Sequence, residues 1–120
     1  MTTDNQRTVR AFLDAVTTWN LDETAAASLI GVAPEFAPEW QDAQSTDPSE
    51  ESLARMMMVA QIRTALDIYW STPLSKEWIS LPNAGDPYRG LSPVAYVAQH
   101  GWPGLYWVLR QVQAWALGNF

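Results

Sequence analysis

Asp47-Pro48 and Ser92-Pro93 each put a capping residue directly before a proline, while Thr72-Pro73 and Leu81-Pro82 each put a proline where a helix has to stop. An Asp or Ser at an N-cap accepts from a backbone N–H of the first turn. A proline at the next position loses little there, because that N–H has no intrahelical partner. The residue ahead of a proline, by contrast, is driven out of the helical region. This punctuation restricts the second half of the chain to short helices and tight connections, with room for one long helix from Pro48 to about Trp70.

The first half carries helical signals of its own. Val9, Phe12, Leu13 and Val16 recur at helical spacing, which predicts an amphipathic helix over residues 5–19. Asp22 caps a second helix whose body is TAAASLI and whose end is Gly31. Pro34 and Pro38 limit the next segment, through Glu39 and Trp40, to a short or broken helix. Further on, Ser75 to Leu81, Ser92 to His100 and Gly104 to Leu117 read as helices, the last with Leu105, Val108, Leu109, Val112, Trp115 and Ala116 on its apolar face. No segment alternates in the manner of a strand between hairpin turns, so the chain is expected to be all-α.

The long helix is expected to turn Leu53, Met56, Met57, Ala60, Leu66 and Tyr69 inward and to leave Arg55 and Asp67 among its polar residues. Met56, Met57 and Met58 sweep about 200° of a helix, so one of them must face away from the core. Trp19, Trp78 and Trp115 fall on core faces. Trp40, Trp70, Trp102 and Trp107 are harder to enclose in a chain of 120 residues, and part of this aromatic surface is expected to meet another protein.

Charge divides the chain near residue 48. From Ala11 to Glu50 there are Asp14, Asp22, Glu23, Glu35, Glu39, Asp42, Asp47 and Glu50 and no Lys or Arg; beyond that the signs nearly balance, within a net charge of −6. Such a stretch repels a phosphate backbone, because affinity for nucleic acid comes largely from Lys and Arg displacing counterions. At 120 residues one globular unit is the default, and the charge boundary coincides with the polar run QSTDPSEES; the resemblance set out below divides the chain into residues 1–46 and 47–120. The absence of cysteine excludes disulfides, thiolate metal sites and a cysteine nucleophile. The opening MTTDNQRT has no basic stretch followed by an apolar one, and no run approaches the ~20 apolar residues of a membrane span, so a cytoplasmic location is expected.

Chemistry-bearing clusters are few. His100 is the only histidine; a triad with Ser92 and Asp86 is conceivable, but no elbow motif surrounds any serine and His100 suits the C-terminal end of a helix. No catalytic set, metal set or cofactor site is expected. The segment from Pro82 to Pro93, with Gly85, Pro87 and Gly90, is needed to reverse the chain between two helices. Its exposed backbone, Asn83 and Arg89 also offer a contact surface.

EWISLPN, Gly90 with Ser92-Pro93, Gly101 and the closing VLRQVQAWALGNF occur in the order and spacing of a known domain. The segment from Arg55 to Phe120 resembles the toxin-binding domain of the MbcA/ParS/Xre antitoxins, partners of RES-domain toxins, with its Trp-Leu-x-x-Pro-Asn, Gly-x-Ser-Pro and closing Val-Leu-x-x-Leu run ending in Gly and an aromatic. WNLDETAAASLIGVAPEFAPEW is similar to the family's helix-turn-helix lobe. The helix that often carries arginines there reads PEFAPEWQDA here, with no base. The loop between Asn83 and Ser92 is about two residues longer than the usual form, and Ala114 stands where a basic residue is frequent.

The resemblance implies an N-terminal helix-turn-helix-like lobe followed by a small helical toxin-binding domain. It implies an antitoxin of a type II pair that binds and blocks an NAD-consuming RES toxin. In the family the last residues approach the toxin's substrate cleft. That role is carried to Gly118, Asn119 and Phe120, with Pro82, Asn83, Arg89, Gly90, Ser92 and Pro93 shaping the adjoining surface. Besides the toxin, a homodimer is the other assembly open to the chain. The alternative functions are an autorepressor reading DNA through the first lobe and an orphan scaffold for some other partner. The acidic first lobe predicts that promoter DNA is bound weakly or not at all at physiological salt, and that arginines at Glu35 and Glu39 strengthen nonspecific binding. Electrophoretic mobility shifts across a salt series measure both; tight, sequence-specific binding by the unaltered protein would establish the repressor.

Overall fold

A computed structural model describes residues 2–34 and 47–118. Among these residues the chain is all-α. Its helices are α1 (Thr3–Thr18), α2 (Glu23–Ile30), α3 (Glu50–Tyr69), α4 (Leu74–Glu77), α5 (Pro93–His100) and α6 (Trp102–Ala116), with a 3-10 turn at Trp78–Ser80 continuing α4. No helix among them is long and apolar enough to cross a membrane. The segment PEFAPEWQDA, apart from Pro34, lies outside the described residues.

Caps set most of the boundaries. Thr2 accepts from the Asn5 N–H at 3.2 Å and starts α1 two residues before the periodicity does. Asp22 Oδ1 accepts from the Ala25 N–H at 2.8 Å, and Gly31, at φ +73°, closes α2 as expected. The cap of α3 differs from the expectation: Ser49, not Asp47, accepts from the Ser52 N–H at 3.1 Å, and Pro48 is buried ahead of the cap instead of opening the helix. Trp70 leaves α3 in extended conformation, as Leu81 leaves the 3-10 turn before Pro82. Ser92 caps α5, and Pro93 occupies its first turn. The last helix begins at Trp102 instead of Gly104, because Pro103 sits in the first turn, where its missing N–H costs nothing.

One contiguous core joins Val9, Phe12 and Trp19 with Leu29 and Ile30, with Met56, Val59, Ile62 and Leu66, and with Leu105, Val108 and Val112. The central helix α3 packs against α1, α2 and α6, and α5 closes the core between α2 and α6. Of the three methionines, Met56 and Met58 are buried and Met57 is 52 % exposed, so the one that turns outward is a residue expected inside. The buried face of α3 is thus rotated relative to the expectation and includes Arg55.

Arg55 is accounted for by what lies around its guanidinium. A Cβ on Gly31 would stand 2.6 Å from Nη1, and one on Gly101 3.8 Å from Nη2. The cation therefore lies against the C-terminal end of α2, where unsatisfied carbonyls and the helix dipole favour positive charge, and beside Gly101, where α5 ends and α6 begins. Glu51, mostly exposed, approaches Nη2 at 3.4 Å, and Nε is buried with no hydrogen-bond partner among the described residues. Gly31→Ala is expected to destabilise the protein by about 1–2 kcal/mol through the left-handed backbone alone. The contact with Arg55 adds to this. Urea denaturation of Gly31→Ala, Arg55→Met and the double variant separates the two contributions as a coupling energy.

Candidate functional site

The connection between the 3-10 turn and α5 is closed at its neck by backbone bonds. The Asn83 N–H donates to the Leu91 carbonyl at 3.1 Å, and the Gly90 N–H donates to the Asn83 carbonyl. Inside the neck, Arg89 N–H donates to the Gly85 carbonyl and Leu91 N–H to the Tyr88 carbonyl, both at 3.0 Å. Arg89 (φ +50°) and Gly90 (φ +94°) are successive left-handed residues that turn the chain back. No atom outside its immediate neighbours comes within 4 Å of a Cβ built on Gly90.

Tyr88 holds this loop to the body of the protein. It is buried, its hydroxyl donates to Gln111 Oε1 on α6, and its ring meets Trp78, Tyr96 and Trp107 edge-on at 6.1, 5.3 and 5.8 Å between centroids. Burial, with a smaller contribution from the Tyr96 phenol, pushes the Tyr88 hydroxyl above the ordinary tyrosine range. Sequence reasoning did not single out Tyr88. The signal available was one aromatic residue in the middle of a run of Gly, Asp and Pro.

The expected contact residues fall into groups. Pro82, Arg89 and Gly90 are exposed and Asn83 is half-buried, with its Nδ2 donating to the Leu81 carbonyl at 3.4 Å. Arg89 Nε reaches Asp86 Oδ1 at 2.9 Å, a fully solvated pair of small energetic value. Ser92 and Pro93 support the loop from below: the Ser92 Oγ accepts from the Ala95 N–H at 3.2 Å, and Pro93 is buried. Gly118 is exposed at φ +75° past the end of α6, and Asn119 and Phe120 lie outside the described residues.

The loop and the end of α6 converge on one aromatic cluster. Trp78 packs edge-on against Trp115 at 5.3 Å as well as against Tyr88, and Trp115 also contacts Tyr69 at 5.5 Å and Trp70 at 5.3 Å. Trp70 is thereby partly enclosed, whereas Trp102 and Trp107 remain 39 % exposed. His100 is exposed with its ring 4.4 Å from that of Tyr96, Asp86 is paired with Arg89 and Ser92 is engaged as a cap. Among the described residues no group of His, Asp and Glu is placed to hold a metal ion. No protein-family model and no curated protein matches the chain.

The Tyr88 hydroxyl supplies a test of the anchor. The folded state keeps a proton that the unfolded chain releases near pH 10, so the contribution of this group is complete below about pH 10 and is lost as the pH rises beyond it. Tyr88→Phe is expected to lower stability at neutral pH by about 1–2 kcal/mol, because the Gln111 carbonyl loses its donor. The variant should also decline less steeply than the parent above about pH 10. Urea denaturation at a series of pH values reads both effects.

Proposed function

We propose that this protein is an antitoxin that binds a RES-domain toxin and closes its NAD-consuming site, acting through protein contact and without chemistry of its own. The C-terminal residues Gly118, Asn119 and Phe120 enter the toxin's cleft, and Pro82, Asn83, Arg89 and Gly90 cover the surface beside it. The observation that carries this reading is the convergence on Trp78. The tryptophan of EWISLPN lies between the loop anchor Tyr88 and the tail-bearing Trp115, so the motif segments behind the resemblance are close in space as well as ordered in sequence. An acidic chain also suits a cleft that binds an anionic dinucleotide. The absence of Lys and Arg from Ala11 to Glu50 favours inhibition by contact over operator binding.

Deleting Gly118 to Phe120 tests the role of the tail. Gly118 is exposed and a Cβ there would meet nothing within 4 Å, so the melting temperature is expected to change little. Rescue of cells expressing the cognate RES toxin is expected to fail, since an aromatic seated in a partner pocket is worth roughly 2 kcal/mol or more. Trp115→Ala serves as the contrasting variant. It removes the centre of the aromatic cluster and is expected to cost about 3 kcal/mol of stability. Full rescue by the truncated protein would move the inhibitory contact to the Pro82 to Pro93 loop.

A further inference from the structure

Three methionines follow one another in the first half of α3, and packing treats them differently. Met56 is fully enclosed and Met58 is 8 % exposed, whereas Met57 is 52 % exposed. The buried positions of α3, from Ser52 to Leu66, cover roughly half of the helix circumference at about 100° per residue, and Met57 falls opposite their middle. Its side chain is therefore on the solvent side of the helix, between two sulfurs that belong to the core.

All three residues carry the same thioether, so their reactivity toward a two-electron oxidant of the peroxide class differs through access alone. A lone pair on the Met57 sulfur attacks one oxygen of hydrogen peroxide, the O–O bond breaks, and that oxygen stays on sulfur as a sulfoxide. The sulfur loses two electrons and the peroxide gains them. The second oxygen leaves as water with both peroxide protons. A sulfur inside the core has to wait for the packing to open before it meets the same reagent.

The product also differs in what it does to the fold. A sulfoxide is polar and accepts hydrogen bonds, which water supplies at Met57. At Met56 or Met58 the same oxygen would enter the hydrophobic core without a donor. We propose that Met57 is the site of peroxide modification in the folded protein, selected from three adjacent methionines by the burial of the other two. Its oxidation replaces one of the two large apolar side chains that α3 exposes, the other being Ile68, by a hydrated dipole and leaves the core intact. Met57 is not among the residues assigned to toxin contact, so the site stands apart from the antitoxin reading.

Trypsin releases the three methionines on one fragment, Met56 to Arg63, and Met1 on another, so fragment-ion mass spectrometry locates an added oxygen among the three. The full chain is treated with hydrogen peroxide in buffer and, for reference, in urea that unfolds it. In the folded chain oxygen is expected on Met57 first, with Met56 and Met58 slower by about tenfold or more because they react through opening of the core. In urea the three should react at similar rates. The singly oxidised protein is expected to keep its circular dichroism spectrum and melting temperature. Met57→Leu, a change on the solvent side, should fold as the parent does and lose the fast uptake on this fragment. Equal uptake by the three methionines of the folded chain overturns the proposal, as does first uptake at Met56 or Met58. Persistence of the fast uptake in Met57→Leu refutes it as well, and so does a clear fall in melting temperature when Met57 alone is oxidised.

Discussion

The burial of one face of a long helix against three others determines the rest of this molecule. From Ser52 to Leu66, α3 supplies the surface on which α1, α2 and α6 lie, and an arginine in the middle of that surface has to be accommodated. Removing a guanidinium from water is tolerable only where other dipoles replace the lost hydration. Here Glu51 approaches at 3.4 Å, and the C-terminal end of α2 lies against the guanidinium at Gly31. Gly31, which ends α2, and Gly101, which joins α5 to α6, both lie beside Arg55, so one side chain adjoins segments far apart in sequence. The long stem of the side chain contributes apolar packing along the way.

A second organising element is aromatic. Tyr69, Trp70, Trp78, Tyr88, Trp107 and Trp115 touch in tilted, stacked and edge-on pairs, which is where much of the aromatic excess of this chain goes. Such pairs hold ring orientations as well as burying area. The loop after the 3-10 turn is fastened to the cluster through Tyr88, and the last helix through Trp115. A surface formed by both is thus presented by a stiff base, and a partner meeting it would lose little entropy in ordering it.

The parts of this architecture that could be read in the sequence are those governed by neighbouring residues. Asp22, Gly31, Ser92 with Pro93, and Leu81 with Pro82 act within one turn of themselves, and each does in the structure what its local chemistry requires. The displaced cap at Ser49 is the exception: Pro48 is drawn into the interior, so tertiary burial decides which of two adequate caps is used. What could not be read depends on distant partners. Arg55 looks like a solvent-facing residue until α2 and α5 are placed, and their positions follow from the whole packing. Met57 turns outward and Met58 inward for the same reason, since the packing of α1, α2 and α6 sets which face of α3 is covered. At the candidate site, the outward positions of Pro82, Arg89 and Gly90 followed from turn chemistry, whereas the bond from Tyr88 to Gln111 joins residues that no local rule connects.

Gly90 lies in open space, so nothing about its surroundings limits the size of a side chain there. The requirement at this position is one of handedness. At φ +94° an L-residue carries its Cβ into conflict with its own backbone, whereas a D-residue has its favoured region on that side. The turn is therefore a chiral filter: it refuses alanine, the smallest L side chain, for the same reason that it would accept a D-amino acid of almost any bulk. Chemical synthesis could thus place a reporter group or a cross-linker at the neck of the loop, beside the bond from the Gly90 N–H to the Asn83 carbonyl, in a position that ribosomal synthesis reserves for glycine.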